Sequence, residues 1–139
     1  MLLMRTSLVA SLALGVVIGL VGCAPALNEE AACELIDAYA SEAAEVISQT
    51  TDSLREDTSR NRFAARLNAL GTEIGELSIA DEKLSETTLA WADAMAEFGS
   101  SLTADSVEEL LSDANSERYT AAADEFIIQD STIRRLCKL

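Results

Sequence analysis

The sequence predicts an all-α protein, an antiparallel up-down-up-down four-helix bundle whose first and last helices are the longest. Apolar residues recur at intervals of three and four through most of 29–139, as they do on one face of an α-helix. The chain of 139 residues contains one proline and six glycines, so helix-breaking residues are few. Four amphipathic segments joined by short connections favour antiparallel neighbours.

The first helix is expected to begin near Asn28, because asparagine is a good N-cap residue. Glu29 and Glu30 then occupy the first turn, where the helix dipole favours negative charge. We expect the helix to end near 57–59, since Asp, Thr and Ser prefer caps and turns. Its apolar stripe consists of Ala32, Leu35, Ile36, Tyr39, Ala43, Val46 and Ile47.

The second and third helices are predicted from two stripes that alternate steps of four and three. Their connection falls at 78–81, where Ser78 or Asp81 caps the third helix. The Gly-Ser-Ser run at 99–101 ends that helix. We assign Trp91 and Met95 to the core rather than to a cofactor pocket. The two stripes are Phe63, Leu67, Leu70, Ile74 and Leu77, then Leu84, Thr88, Trp91, Met95, Phe98 and Leu102.

The fourth helix is expected to follow an N-cap at Thr103, with Leu102 and Val107 in contact across the cap. Its apolar stripe slips at 115–116, which indicates either a stutter or a break into two helices. We favour one long, bent helix. The stripe consists of Val107, Leu110, Leu111, Ala114, Tyr119, Ala122, Phe126, Ile133 and Leu136.

The beginning of the chain has the pattern of an export signal, in which Arg5 precedes an uncharged apolar run and small residues follow it. The Leu-Val-Gly-Cys run at 20–23 resembles the lipobox of bacterial lipoproteins. That resemblance implies cleavage before Cys23 and acylation of this cysteine. The chain then divides into a signal peptide at 1–22, the lipidated cysteine with a short tether at 23–28, and an acidic helical domain at 29–139.

The same resemblance implies a location. Residues 24–139 would lie outside the cytoplasm, lipid-anchored to the bacterial cell membrane, or to the outer membrane if the host has two. Ala24 favours the outer membrane in that case, since it replaces the aspartate associated with inner-membrane retention. A single membrane-spanning helix remains the alternative, because 6–27 is uncharged and long enough to cross a bilayer. Both interpretations place the domain outside the cytoplasm.

The three cysteines predict one disulfide. If Cys23 carries lipid, only Cys33 and Cys137 remain to pair, and the compartment permits a disulfide. Two buried free thiols are the alternative. In an up-down-up-down bundle, the start of the first helix and the end of the fourth lie at the same end. The predicted disulfide and the predicted topology are therefore consistent with each other.

Helix lengths predict a two-helix stalk on the membrane side. At about 1.5 Å per residue, the first and fourth helices would reach roughly 40 and 50 Å, and the others about 30 Å. The long pair would overhang the turn between the second and third helices, fastened by the disulfide. The stalk is the predicted apolar surface for a partner or a lipid, formed by Leu35, Ile36, Tyr39, Ile127, Ile128, Ile133 and Leu136.

Basic residues form two clusters along the chain. The first is expected at the opposite tip, where it pairs with Asp105, Glu108 and Glu109 or, alternatively, docks an acidic partner. The second ends the chain and is expected to complement the dipole of the last helix, with contact to lipid headgroups as the alternative. The clusters are Arg55, Arg60, Arg62 and Arg66, then Arg134, Arg135 and Lys138.

The composition points away from enzymes and nucleic-acid binding. The chain has no histidine, the commonest general base and metal ligand, and no metal or cofactor is expected. All 24 acidic residues follow Cys23 and the net charge is −14, which disfavours phosphate-rich partners. We therefore expect a non-catalytic interaction module that docks a protein of the cell envelope. A carrier of a small apolar ligand or lipid is the alternative.

Overall fold

The computed structural model describes residues 24–52 and 54–139, and in this part of the chain the protein is all-α, with five helices and no strand. The predicted signal peptide and lipobox, including Cys23, lie outside the described residues. The helices are α1 (Glu29–Asp52), α2 (Asp57–Gly75), α3 (Glu82–Ser101), α4 (Val107–Leu110) and α5 (Asp113–Cys137).

Two of the predicted helix caps are confirmed. The side-chain oxygen of Asn28 accepts a hydrogen bond from the backbone N–H of Ala31 at 2.9 Å, at the start of α1. The carboxylate of Asp81 accepts one from the N–H of Leu84 at 2.7 Å, at the start of α3. Each cap satisfies a backbone donor that has no partner inside its helix.

The predicted end of the first helix is wrong. Helix α1 ends at Asp52, and Asp57 is the first residue of α2. Aspartate, threonine and serine suit the beginning of a helix as well as its end, so the run at 57–59 was ambiguous. The carboxylate of Asp57 lies 2.7 Å from the guanidinium of Arg60, one turn later, and this contact supports the first turn of α2.

The fourth segment is not the single long helix that the sequence favoured. It breaks between Leu110 and Asp113, and the slip at 115–116 lies inside α5. The cap of α4 is Ser106 rather than Thr103, since the Ser106 hydroxyl accepts from Glu109 N at 3.1 Å. The break is stable because side chains satisfy the freed carbonyl of Glu109, to which Asn115 Nδ2 donates at 2.8 Å.

The helices pack side by side in the order α1, α2, α3, α5. Helix α3 lies between α2 and α5, α1 packs on α2, and α1 touches α5 only slightly. The α2–α3 contact is close because glycines face the partner backbone. A methyl group on Gly71 would lie 2.7 Å from the carbonyl oxygen of Ala92, and one on Gly99 would lie 2.9 Å from that of Ala64.

The core runs between the helices and holds the largest side chains. Trp91 and Met95 are fully buried, so their predicted place in the core is confirmed. Phe98 joins α3 to α5, with its ring centroid 5.6 Å from that of Phe126 and 5.8 Å from that of Tyr119. The other fully buried apolar side chains of the core include Ile36, Leu67, Leu70, Ile74 and Ile133.

The predicted two-helix stalk is also wrong. Leu27, just before α1, pairs with the turn between α2 and α3: its N–H donates to Ser78 O at 2.7 Å, and its carbonyl accepts from Ala80 N at 2.9 Å. The beginning of α1 is therefore level with that turn. The break before α5 is the physical reason, because 25 residues reach about 38 Å rather than 50 Å.

The predicted disulfide is present and closes this end of the domain. Cys33 and Cys137 are bonded with an S–S distance of 2.00 Å, and their Cα atoms are 5.3 Å apart. The two residues are separated by 104 positions in the sequence. The first turns of α1 and the last turn of α5 are therefore held together covalently.

Candidate partner-binding groove

The predicted apolar surface divides between core and solvent. Ile36 and Ile133 are fully buried, and Tyr39 and Leu136 are half-buried against the core, so the prediction that these four form an open surface is wrong. Without a stalk, the other helices cover them. Three residues do remain exposed, with 38% of Leu35, 62% of Ile127 and 55% of Ile128 accessible to solvent.

The three exposed residues do not form one patch. Leu35, Tyr39 and Glu42 follow each other at helical intervals, so they share a flank of α1. Glu42 forms an ion pair with Arg66 of α2, which places this flank on the α2 side. Ile127 and Ile128 belong to α5, on the other side of α1. Leu35 therefore belongs to a different surface from the two isoleucines.

A groove with an apolar floor lies between α1 and α5. Its volume is about 310 Å³. Ala40 and Phe126 are buried at its floor, and Ile47 is half-buried beside them. The residues that line it are Ala40, Ala44, Ile47 and Ser48 from α1, with Phe126, Asp130 and Arg134 from α5.

The groove exists because small side chains line a sparsely packed seam. Alanines at 40 and 44 cannot fill the space between two helices whose axes the disulfide fixes at one end only. Helix α1 obtains most of its packing from α2 instead. The seam therefore exposes apolar surface that a closer helix pair would bury.

The rim of the groove carries no net charge. Arg134 Nε donates to Asp130 Oδ2 at 2.8 Å, one helical turn apart on α5. Ile127 lies on the same flank of α5, three residues before Asp130 and seven before Arg134, so its exposed side chain extends the apolar surface. In a chain of net charge −14, this is a largely uncharged region.

The predicted distal basic patch is wrong at its centre, because Arg60 is fully buried. Its guanidinium donates to the carbonyl oxygens of Leu54 at 3.0 Å, Leu102 at 3.2 Å and Ala104 at 2.8 Å. It also pairs with Asp57. Arg60 therefore joins α2 to the connection before it and to the segment that follows α3.

The other three arginines lie in separate environments. Arg66 bonds Glu42 and, at 2.8 Å, Glu73, and these hydrogen bonds raise the pKa of Arg66 above its ordinary value. The exposed Arg62 lies 5.3 Å from the ring centroid of Phe63. Arg55 is exposed in the connection between α1 and α2. None of the ion pairs within 24–52 and 54–139 joins Arg55, Arg60, Arg62 or Arg66 to Asp105, Glu108 or Glu109, so that predicted pairing is wrong.

The sequence contains a signal that Arg60 is buried. Arg60 stands three residues before Phe63 and seven before Leu67, on the apolar stripe of α2 rather than on its charged face. A buried arginine requires acceptors for its five N–H groups, and such acceptors are available at helix ends. The position of Arg60 on the helical wheel was therefore a better indicator of its burial than its proximity in sequence to other arginines.

The basic residues at the chain end contact their own helix. Arg134 pairs with Asp130, and Arg135 Nε donates to Ser131 O at 3.3 Å. Lys138 has the left-handed backbone conformation, φ 57°, that often follows a helix. These cations lie where the helix dipole favours positive charge, as the sequence predicted.

Searches for similar proteins found no matching family model, no matching curated protein and no matching solved structure. Among the residues that the structure describes, no group of three or more potential metal ligands is placed to bind an ion. None of the helices in this same part of the chain has the length and apolar character needed to cross a membrane.

Proposed function

We propose that this chain is a small extracytoplasmic lipoprotein that acts as a non-catalytic protein-interaction module of the cell envelope. The Leu-Val-Gly-Cys run at 20–23 supports the anchor, since the resemblance implies a lipid on Cys23. The groove between α1 and α5 is the observation that supports the interaction role. The acidic composition argues against a nucleic-acid partner, and the proposed module requires no cofactor.

The domain is proposed to be an up-down-up-down bundle of α1, α2, α3 and α5, with α4 as a single turn in the last connection. Opposite directions of neighbouring helices are supported by the contacts between them. The contact of Gly99 pairs late α3 with Ala64 of early α2, and the contact of Gly71 pairs late α2 with Ala92, farther back along α3. The disulfide pairs the start of α1 with the end of α5, and Glu97 of late α3 pairs with Arg118 of early α5.

The proposed occupant of the groove is one helix of an envelope protein, bound through its apolar face. Two helices flank the groove, so a third helix laid along the seam would continue the packing of the bundle. Ala40 and Ala44 leave room for the partner's side chains. The Arg134–Asp130 pair gives the rim one charge of each sign, which favours an apolar helix over a strongly charged one.

Photo-crosslinking in the native membrane tests this proposal. A crosslinker is placed at Ser48, which lines the groove, or at Ala121, which is exposed on α5 and outside the groove, in the full-length chain. We expect position 48 to capture one envelope protein. Ala44→Glu should abolish that product, and the matched change Ala121→Glu should preserve it. Equal capture from both positions, or capture at 48 that survives Ala44→Glu, would contradict the proposal.

The lipid anchor has its own test. The membrane-extracted protein should have the mass of a chain that begins at Cys23 and carries a diacyl or triacyl increment. Reduction should add the mass of two hydrogens, since Cys33 and Cys137 are bonded. An unmodified chain that still begins at Met1 would contradict the lipoprotein proposal and leave a signal-anchored helical protein.

A second candidate function, carriage of a small apolar ligand or lipid, is favoured by the floor of the same groove. Ala40, Ile47 and Phe126 are apolar, and ligand pockets begin at a volume of about 300 Å³. Native mass spectrometry of the extracted protein separates the two functions. A non-covalent lipid that is retained by the natural chain and lost in Ala44→Glu supports a carrier. A chain without such a lipid, combined with the crosslink at 48, supports the interaction module.

A further inference from the structure

The segment that joins the proposed anchor to the domain is short and fixed at its far end. Leu27 pairs its backbone with the turn between α2 and α3 through hydrogen bonds of 2.7 and 2.9 Å. Its side chain packs partly buried against the core. Asn28 then caps α1. Only three residues, Ala24 to Ala26, separate Cys23 from this fixed position.

The reach of this segment is small. Four Cα–Cα steps lead from Cys23 to Leu27, and an extended chain covers about 14 Å in that distance. Pro25 has one of its backbone torsions fixed, which narrows the range of conformations further. A flexible tether lets a domain turn freely over a membrane, but this one leaves little freedom.

Three parts of the domain meet at the end where the tether joins it. Leu27 pairs with the turn at 76–81, as described above. The disulfide places the last turn of α5 beside the first turns of α1. A shallow concavity at this end is lined by Glu29, Asp81, Lys83, Leu84 and Leu136, which come from the beginnings of α1 and α3 and from the end of α5.

We propose that this end of the domain, formed by Leu27, the turn 76–81 and the end of α5, faces the lipid bilayer, with the helices directed away from it. The inference rests on the proposed lipid on Cys23. It adds the orientation of the domain and the surface that lies against the headgroups.

The charge distribution favours the same orientation. Four basic residues lie at the tethered end: Lys83 in the first turn of α3, then Arg134, Arg135 and Lys138 at the end of α5. Five acidic residues also lie at this end, Glu29, Glu30, Glu76, Asp81 and Glu82, so its side chains nearly balance. The rest of the domain is far more acidic, with 19 acidic residues and five basic ones. Anionic headgroups repel acidic flanks within a Debye length of about 8 Å, so a domain lying on its side would be disfavoured.

The orientation has a consequence for the groove. Ala40 is seven residues beyond Cys33 and Ser48 is fifteen, so the groove extends from roughly 10 to 22 Å beyond the disulfide at 1.5 Å per residue. With the helices directed away from the membrane, the groove runs along the membrane normal. The partner helix that fits the groove is then a segment just outside the bilayer whose axis also lies along the membrane normal.

Fluorescence quenching from labelled headgroups tests the orientation. The full chain is expressed with Ala80→Cys at the tethered end or Leu111→Cys at the other end, both exposed positions. The extracted lipoprotein is labelled without reductant. It is then reconstituted into vesicles of phosphatidylcholine with one fifth phosphatidylglycerol and a nitroxide-headgroup lipid. We expect several-fold stronger quenching at position 80 than at position 111.

A spacer variant provides the control. About twelve glycine and serine residues inserted between Ala24 and Pro25 would extend the reach by about 20 Å while leaving Leu27 paired. The difference between the two labels should then largely disappear. In the chain with its natural tether, equal quenching at positions 80 and 111, or stronger quenching at 111, would overturn the proposed orientation but leave the proposed anchor intact. A chain without the lipid mass would overturn the proposed anchor and the orientation together.

Discussion

The α2–α3 interface and the α1–α5 seam are held together by different means. At the first, Gly71 and Gly99 bring two backbones so close that neither position has space for a methyl group. At the second, the disulfide fixes one end, and alanines leave a groove along the rest. Close packing buries the surfaces of both helices. A covalent link can hold two helices together while leaving apolar surface available to a partner.

Helix α1 is the element that depends most on this second arrangement. The disulfide holds its beginning, and Arg60 holds the connection after its end through the carbonyl of Leu54. Between these two points it packs mainly on α2.

Removing the disulfide should have the largest effect. In Cys33→Ser with Cys137→Ser, the unfolded chain regains the freedom of a loop of about 100 residues, which lowers the free energy of unfolding by about 4 kcal/mol. Chemical denaturation measures the loss. Hydrogen exchange should accelerate most in α1, which can then also open locally, while the amides of α2 and α3 accelerate only by the loss of global stability. Uniform acceleration in all helices would show that the seam is as well packed as the α2–α3 interface.

Removing Arg60 should come next. Arg60→Met leaves the carbonyls of Leu54, Leu102 and Ala104 without this donor and should lower the free energy of unfolding by about 3 kcal/mol. The control Arg62→Met, at an exposed position in the same helix, should change it by less than about 0.5 kcal/mol. Equal effects of the two changes, measured by urea denaturation, would contradict the bridging role of Arg60.

Several features of the domain that depend on local sequence patterns were predicted correctly. Periodicity predicted the all-α class and the core positions of Trp91 and Met95. Residue preferences at helix ends predicted the cap at Asn28 and offered Asp81 as one of two candidates for the cap of α3. The cysteine count predicted the disulfide. Each of these predictions depended on nearby residues or on a single possible pairing.

The predictions that failed depended on contacts between distant parts of the chain. The carbonyls that Arg60 binds come from residues up to 44 positions away. The stalk failed because a break of two residues at 111–112 shortened the last helix. The groove follows from how far α1 stands from α5, and Ile36 and Ile133 are covered by neighbouring helices. Helix periodicity gives the face of a residue but not the distance to its neighbour.

A pair of glycine substitutions tests the close interface directly. In Gly71→Ala the new methyl group meets the carbonyl of Ala92, and we expect a loss of about 1–3 kcal/mol in the free energy of unfolding. In Gly75→Ala, in the same helix, the nearest atom is 3.9 Å away. That change should stabilise the protein by up to about 0.5 kcal/mol through helix propensity, less than in a helix interior because Gly75 is the last residue of α2. Losses of equal size in thermal unfolding would contradict the close approach at Gly71.

The smallest expected effect on stability is at the seam. Ile127→Ser removes an exposed side chain and should change the free energy of unfolding by less than about 0.5 kcal/mol. Ile133→Ser, in the same helix but fully buried, should lower it by about 2–5 kcal/mol. A large loss in Ile127→Ser, measured by denaturation, would mean that this side chain is part of the core.

The same variant separates binding from folding. Because Ile127 contributes little to folding, a loss of the crosslink at position 48 in Ile127→Ser can be attributed to the contact with the partner. Ile128→Ser is the matched control, since its side chain is similarly exposed on the same helix but lies farther from the groove. If a partner helix binds the α1–α5 seam, Ile127→Ser should weaken the crosslink at position 48, and Ile128→Ser should leave it largely intact. Equal losses would place the contact on the outer face of α5 instead of in the groove.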